Sequence, residues 1–361
     1  MADIFQRIAD DLDTVSLDQV RHNLGGYINF NVANMGVLPK HVIDRVNYHK
    51  LQIKTPNQNY RLRDEFIVRI KQKINTLCPD PTGKSLHVTY GTTLALNIIC
   101  LMIKAQNKRQ NFVTLLGEHD GLFAPFNEFT NLQVVENIER LQEKLRTSKV
   151  DGICVSDIRY KNGVRNDLRL IAELRDKYAP NAIILADLAQ SFSIMDLPFE
   201  YFVIGIASAH KWMAGAGGHG FIWINSEIEK ELLSLKGTLT KFNELGFVGG
   251  HDFKGLIETY QAITLRLKSG KGYKSGLIEQ INKFNSTSKL QIETNSACFN
   301  VISMSNVERA YEIYSKIIEK KLDVKFINDS NPIFRITIPY FASDLDISNG
   351  FDILSENLCH L

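Results

Sequence analysis

Apolar residues along this chain gather in short unbroken runs separated by amphipathic stretches, the pattern of strands buried on both faces and linked by helices. AIILA (182–186) and YFVIGIA (201–207) are the clearest runs, each about the length of a buried strand and each ending abruptly in polar residues. LHVTYGTTLALNIICLMIKA (86–105) reads as a strand, a Gly-Thr-Thr turn and an apolar helix. NFVTLLGEHDGLFAPF (111–126) reads as a strand with His119 at its end and an aromatic, Pro-containing segment after it. VDGICVSDIRYKNGVRNDLRLIAELRDKYAP (150–180) gives a strand, a loop and a helix. The spacing predicts an α/β fold.

The flanking regions are patterned differently. Ile4, Phe5, Ile8, Leu12 and Val15 form one stripe, which predicts an amphipathic helix over residues 1 to about 20. GGYINFNVANMGVLPKHVIDRV gives a short extended piece, a turn and a helix announced by Pro39. From Asp64, FIVRIKQKINTLC repeats apolar residues at helical spacing. Towards the end the spacing predicts an amphipathic helix around 255 to 285, a strand at CFNVISM, a helix at NVERAYEIYSKIIEK, and strands at KLDVKFI and IFRITIPYF. FRITIPYF alternates as a half-buried strand and carries Arg335.

With 361 residues, 44% of them hydrophobic, the chain can bury a large core and exceeds one compact small domain, so a large domain with a smaller partner is expected. A net charge of +2 is too mild to argue for nucleic acid or a membrane surface. The opening MADIFQRIADDLD lacks the regions of a signal peptide, and no unbroken apolar run reaches the ~18 residues of a membrane span. The expectation is a soluble, cytoplasmic protein. Cys78, Cys100, Cys154, Cys298 and Cys359 are scattered without a C-x-x-C pair, as in reduced proteins with no metal site, and Cys100 and Cys154 read as core filling.

Candidate chemistry collects at the strand ends, where open α/β sheets bind ligands. Asp187 and Gln190 stand after the first apolar run, and Ser208, His210 and Lys211 after the second, ahead of the Gly-rich MAGAGGHGFIWI. A carboxylate and a lysine on neighbouring buried strands are suited to hold opposite ends of one heteroaromatic ring, the pair that pyridoxal phosphate chemistry requires. The Gly91, Thr92, Thr93 turn between strand and helix is a ready anion site, although an N-cap threonine accounts for it equally.

The string Asp187, Gln190, Ser208, His210, Lys211 and Trp212 closely resembles the cofactor segment of the class V aminotransferases, where Asp-x-x-Gln precedes Ser-x-His-Lys by about twenty residues. That group includes cysteine desulfurases, selenocysteine lyases, isopenicillin N epimerase-like proteins and kynureninases. The resemblance implies the fold of the fold type I pyridoxal-phosphate enzymes: a large domain with a mainly parallel seven-stranded sheet flanked by helices, plus a smaller α+β domain. It divides the chain into an N-terminal segment (1–45) that joins the small domain, a large cofactor-binding domain (46–255) and a small C-terminal domain (256–361). It further implies a Schiff base on Lys211, Asp187 on the pyridine nitrogen, Gln190 on the phenolic oxygen, and His119 over the ring. Gly91, Thr92, Thr93, Ser208 and His210 would hold the phosphate, and Arg335 the substrate carboxylate. A homodimer acting on a small amino acid is expected on the same ground.

The match has departures. Tyr160 takes the place of the usual Asn, a change similar to kynureninase-like members; it either contacts cofactor or substrate or packs on the following helix. Asn34 either faces the pocket or simply forms its turn. Gly250 replaces the threonine of the motif that reaches the partner's phosphate, while Gly249 and Asp252 are kept. No Cys lies between 305 and 334, which speaks against a persulfide-carrying desulfurase. Transamination, β-elimination, epimerisation and kynureninase-like cleavage stay open. Of the other classes, a nucleotide-binding oxidoreductase needs a G-x-G-x-x-G between strand and helix, whereas the Gly-rich loop here precedes the strand-like FIWI. A non-catalytic cofactor-binding protein is disfavoured by Lys211, Asp187, His119 and Arg335 occurring together.

Overall fold

The structure is a computed structural model, and it describes residues 2–15, 26–38, 40–52, 56–106, 109–233, 253–269, 275–295 and 299–358. Pro39, the 249–252 motif, Cys298 and Cys359 lie outside the described residues. A short strand β1 (Ile28–Asn29) precedes the seven strands of the main sheet: β2 (Ser85–Thr89), β3 (Asn111–Leu115), β4 (Asn131–Val135), β5 (Gly152–Ser156), β6 (Ile183–Asp187), β7 (Ile204–Ser208) and β8 (Gly220–Ile224). Their spatial order is β2-β8-β7-β6-β5-β3-β4. Only β8 runs against its neighbours, so the other six share a direction and their carboxyl ends lie along one edge.

Both faces of this sheet are covered, which is why its strands read as continuous apolar runs. Along β6, Ile184 and Ala186 enter one core and Ile183 and Leu185 the other; along β8, Phe221 and Trp223 face the first core and Ile222 and Ile224 the second. The second core is closed mainly by the apolar helix Thr92–Gln106, which buries Cys100 against Cys154 of β5.

The smaller lobe contains β9 (Glu293–Asn295), β10 (Phe299–Ser303), β11 (Leu322–Asp323), β12 (Lys325–Ile327) and β13 (Ile333–Ile336). β12-β13-β10-β9 form an antiparallel sheet that sets Val301 opposite Arg335, while β11 pairs with β1. The helices Ser275–Thr287, Val307–Glu319 and Asp344–Leu358 close its core together with Phe30. Among the described residues, no helix is long and apolar enough to cross a membrane.

Two sequence expectations fail here for physical reasons. The stretch 255–285 forms two described helices, and the first, Phe253–Ser269, is buried nearly all round instead of amphipathic. It runs between the helix Pro56–Leu77, the helix Lys40–Leu51 and the N-terminal helix Ala2–Asp13, whose apolar stripe of Phe5, Ile8 and Leu12 enters the same core. The strand around Arg335 is not half-buried, because all four residues of β13 are enclosed between the small-lobe core and the junction with the large lobe. The first 45 residues divide: residues 28–32 pair with β11 and Thr337 of the small lobe, while the helices before and after them pack on the large one.

Candidate active site

The register of the main sheet assembles the site. Ser156 lies opposite Asp187, Asp187 opposite Ile206, and Thr89 and Ser208 both lie opposite Gly220. The segments leaving these strand ends therefore converge, and they wall a cavity of about 190 Å³. Asn34, Thr92, Thr93, His119, Tyr160, Asp187, Ser208, His210 and Lys211 all line it. Gly91 is required by the backbone: it holds φ at +94°, and a Cβ on Gly220 would lie 2.6 Å from Ala207 O and 2.9 Å from Gly91 Cα. This close approach brings the start of the helix Thr92–Gln106 beside the end of β7.

Asp187 is 9% exposed, and its Oδ1 accepts from the Ala189 N–H at 2.8 Å. Burial pushes its carboxyl up, and the nearby Lys211 ammonium pulls it back down. Burial, with a smaller push from Arg335, moves the Lys211 amine below the usual lysine range, against the pull of Asp187. The two groups thus feel each other across one cavity, and burial makes the amine easier to deprotonate than a surface lysine.

Three buried polar atoms on the cavity wall have no hydrogen-bond partner: Thr92 Oγ1, Ser208 Oγ and His210 Nδ1. Buried polar atoms without a partner occur elsewhere in the chain too, but these three converge on one cavity beside a helix N-terminus, an arrangement suited to an anionic, oxygen-rich group. Burial and Lys211 bring His210 down to about 4, so its imidazole is neutral near pH 7. His119 caps the helix Asp120–Phe129: its Nδ1 accepts from Gly121 N–H at 2.9 Å, which leaves Nε2 to carry the ring's proton. Burial first, then Lys211, lowers its pKa.

Arg335 is 0% exposed and sits just behind the cavity. Nη1 donates to Tyr160 O at 2.6 Å, and the guanidinium lies 4.6 Å from the Tyr160 ring centroid and 5.6 Å from that of Phe299. Nε and Nη2 are buried without partners, and Arg335, like Gln190, is not among the residues that line the cavity. Burial lowers its pKa to about 10, which leaves it cationic at neutral pH.

Gln190 is placed differently from its expected role. Its Nε2 donates to Ala33 O and its Oε1 accepts from Trp212 Nε1, both at 3.0 Å, and it is not among the residues that line the cavity. One end of the amide is thus taken by Ala33 and the other by Trp212, the neighbour of Lys211, so Gln190 ties the lysine turn to the N-terminal segment. Trp212 also meets the Phe299 ring edge-on at 5.4 Å.

Glu118 carries a feature that its Glu-His context does not reveal. Its Oε1 accepts from Ser156 N–H at 3.0 Å and its Oε2 from the Ser156 hydroxyl. Burial pushes the carboxyl up to about 7, opposed by those hydrogen bonds and reinforced by the Asp187 charge. The folded-state pKa exceeds the ordinary 4.5, so the native state keeps a proton that the unfolded chain releases. Stability from this group is present below about pH 4.5 and falls as pH rises towards about 7. Glu118→Gln is expected to flatten this slope, whose size is on the order of 3 kcal/mol. Urea unfolding of both proteins at pH 5 and pH 8 measures it, and equal pH dependence would remove the assignment.

No family sequence model matches the chain, and no curated protein matches it by sequence. Solved structures do share its fold. A cysteine desulfurase from Thermococcus onnurineus superposes with a TM-score of 0.74 at 15% identity, covering 95% of this chain and 98% of that one. A NifS-like protein from Rickettsia africae gives 0.71 at 16% identity, covering 92% and 99%. An 8-amino-7-oxononanoate synthase from Francisella tularensis gives 0.62 at 15%, covering 91% and 97%. The chain has the α/β architecture of these proteins, as the resemblance implied: a seven-stranded, mainly parallel sheet flanked by helices, with a smaller lobe. Of the described cysteines, Cys78, Cys100 and Cys154 are all buried, and burial pushes the latter two thiols up.

Proposed function

We propose that the chain is a pyridoxal-phosphate-dependent enzyme acting on an amino acid, as an aminotransferase or a β-elimination lyase. The observation that carries this reading is one cavity in which Lys211 and Asp187 face each other's charge beside the three unpartnered atoms of Thr92, Ser208 and His210. The residues present fit the group: an amine for its aldehyde, a buried carboxylate for its ring nitrogen and hydroxyl and imidazole donors for its phosphate. When bound, pyridoxal phosphate supplies an aldehyde that captures amines and a ring that draws electrons from the carbon next to the captured nitrogen.

Each side chain then has a defined task. Lys211 would hold the aldehyde through Nζ, whose basicity burial lowers, and the same amine would serve as the group that moves the substrate's α-proton. Asp187 keeps a proton on the ring nitrogen, where burial strengthens the pairing. Thr92, Thr93, Ser208 and His210 anchor the phosphate, with Gly91 permitting the approach of the loop. His119, which lines the cavity with its proton on Nε2, would serve as a second group able to hold or move a proton there. Arg335 receives the substrate carboxylate through Nε and Nη2. Asn34 lines the cavity and is placed to contact the bound amino acid.

A homodimer is part of the proposal. The fold likeness to cysteine desulfurases favours a second reading, sulfur removal from cysteine. One experiment addresses all of these: load the protein with pyridoxal phosphate, record its visible absorbance, and screen amino acids for pyruvate, ammonia, keto acid and sulfide. A retained visible band and turnover of at least one amino acid are expected. Failure to retain the cofactor after desalting overturns the proposal, and sulfide from cysteine alone would select the second reading.

A further inference from the structure

The hairpin that carries Tyr160 is built to stay where it is. Residues 157–166 close on themselves through Arg159 N–H to Val164 O, Gly163 N–H to Arg159 O and Asn166 N–H to Asp157 O, with Ile158 bridging Arg165. The Arg159 Nε bond to Asn166 Oδ1 adds a side-chain tie. The tip is then clasped by the small lobe. Lys161 pairs with Asp329, Asn295 Nδ2 donates to Asn162 O at 3.2 Å, and Gly163 lies so close on Phe299 that a Cβ there would collide with the ring. Gly163 also holds φ at +73°, which few other residues adopt.

Tyr160 stands on this rigid tip between two groups of the proposed site. Its ring meets the His119 ring at 4.7 Å, edge to face, and lies under the Arg335 guanidinium at 4.6 Å, while its carbonyl takes Arg335 Nη1. The cavity it helps to enclose, about 190 Å³, is smaller than the ~300–1,000 Å³ of sites that hold drug-sized ligands. Lys211 and Tyr160 both line this small space.

We infer that Tyr160 sets an upper size limit on the substrate, so that the enzyme takes α-amino acids with short side chains and excludes bulky or aromatic ones. The inference rests on the function proposed above. Two devices act through one residue: the carbonyl fixes which edge of Arg335 can grip a carboxylate, and the ring occupies the volume into which a longer side chain would extend. The hairpin, hydrogen-bonded within itself and clasped by the small lobe, fixes the Tyr160 backbone, and the ring is held between His119 and Arg335.

The test uses the full chain loaded with pyridoxal phosphate, as parent, Tyr160→Phe and Tyr160→Ala, with circular dichroism to verify folding. Alanine, serine, cysteine, leucine and phenylalanine are titrated against the cofactor's visible absorption, and turnover is measured in parallel. The parent should respond to the three short amino acids and not to leucine or phenylalanine. Tyr160→Ala should improve the response to phenylalanine relative to alanine by at least about tenfold, the scale on which packing discriminates side chains. Tyr160→Phe, which keeps the ring, should retain the parent's preference. A parent that accepts phenylalanine as readily as alanine, or a Tyr160→Ala variant with an unchanged ratio, overturns the size limit while leaving cofactor binding intact. A parent that retains no pyridoxal phosphate refutes the underlying function and this inference with it.

Discussion

Lys211→Ala is expected to lower turnover of any amino acid substrate by at least about three orders of magnitude, because one amine serves as both covalent anchor and proton carrier. The visible absorbance of the loaded parent should disappear in the variant. The fold should survive, because the turn after β7 is held by main-chain bonds, Ala214 N–H to Lys211 O and Gly215 N–H to Ala209 O, and by Trp212 on Gln190. Added methylamine should restore a small part of the rate, since a free amine can replace some of the missing proton transfer. Absorbance and turnover equal to the parent's would place the chemistry elsewhere.

The second large effect concerns Arg335, where binding and stability are expected to move in opposite directions. Arg335→Met removes the unpartnered Nε and Nη2 along with the cation, and so removes the fork for the substrate carboxylate. Loss of one partner of a buried charge pair costs about 2–5 kcal/mol, so the Michaelis constant should rise by roughly a hundredfold with a smaller change in kcat. The protein without substrate should unfold at an equal or higher urea concentration, because a buried and under-paired guanidinium is replaced by a side chain of similar volume that needs no partner. Urea unfolding and steady-state kinetics on the same preparation measure both. A fall in stability with an unchanged Michaelis constant would make Arg335 a structural residue only.

The sequence carries the large lobe openly because its strands are buried on both faces, so AIILA, YFVIGIA and GICVS announce themselves as runs. It also places the polar residues at the ends of those runs, which is where the cavity forms. Register does the rest: Ser156 beside Asp187 follows from the parallel pairing of β5 with β6, and Ser208 across Gly220 from Thr89 from the antiparallel β8 between β7 and β2. Less legible were features decided by packing at a distance. The strand Asn131–Val135 at the edge of the sheet is mostly exposed and shows no strong pattern, and the helix Ile138–Thr147 after it buries only Leu141 and Leu145. The full burial of 253–269 depends on three helices from distant parts of the chain, and the full burial of Arg335 on a lobe junction that includes Phe299.

The site shows the same division. Lys211, Asp187, His119 and the phosphate-side residues are recognisable from type and position along the chain, because each follows a strand directly. Gln190 is recognisable as a site residue but not in its role, since nothing in Asp-x-x-Gln tells that both ends of its amide are taken by Ala33 and Trp212. The raised carboxyl of Glu118 likewise depends on Ser156, which is 38 residues away in the chain. Tyr160 reads as a substitution in a loop; its position between His119 and Arg335 needs the small lobe to be folded against the hairpin.

The central claim is that one amine at the end of β7 captures a vitamin B6 aldehyde, and peptide mapping tests it most directly. The protein is incubated with pyridoxal phosphate, reduced with borohydride, digested and analysed by mass spectrometry. The account predicts a single stoichiometric phosphopyridoxyl adduct on the peptide that contains Lys211. An adduct spread over surface lysines, one on another residue, or none at all would contradict it.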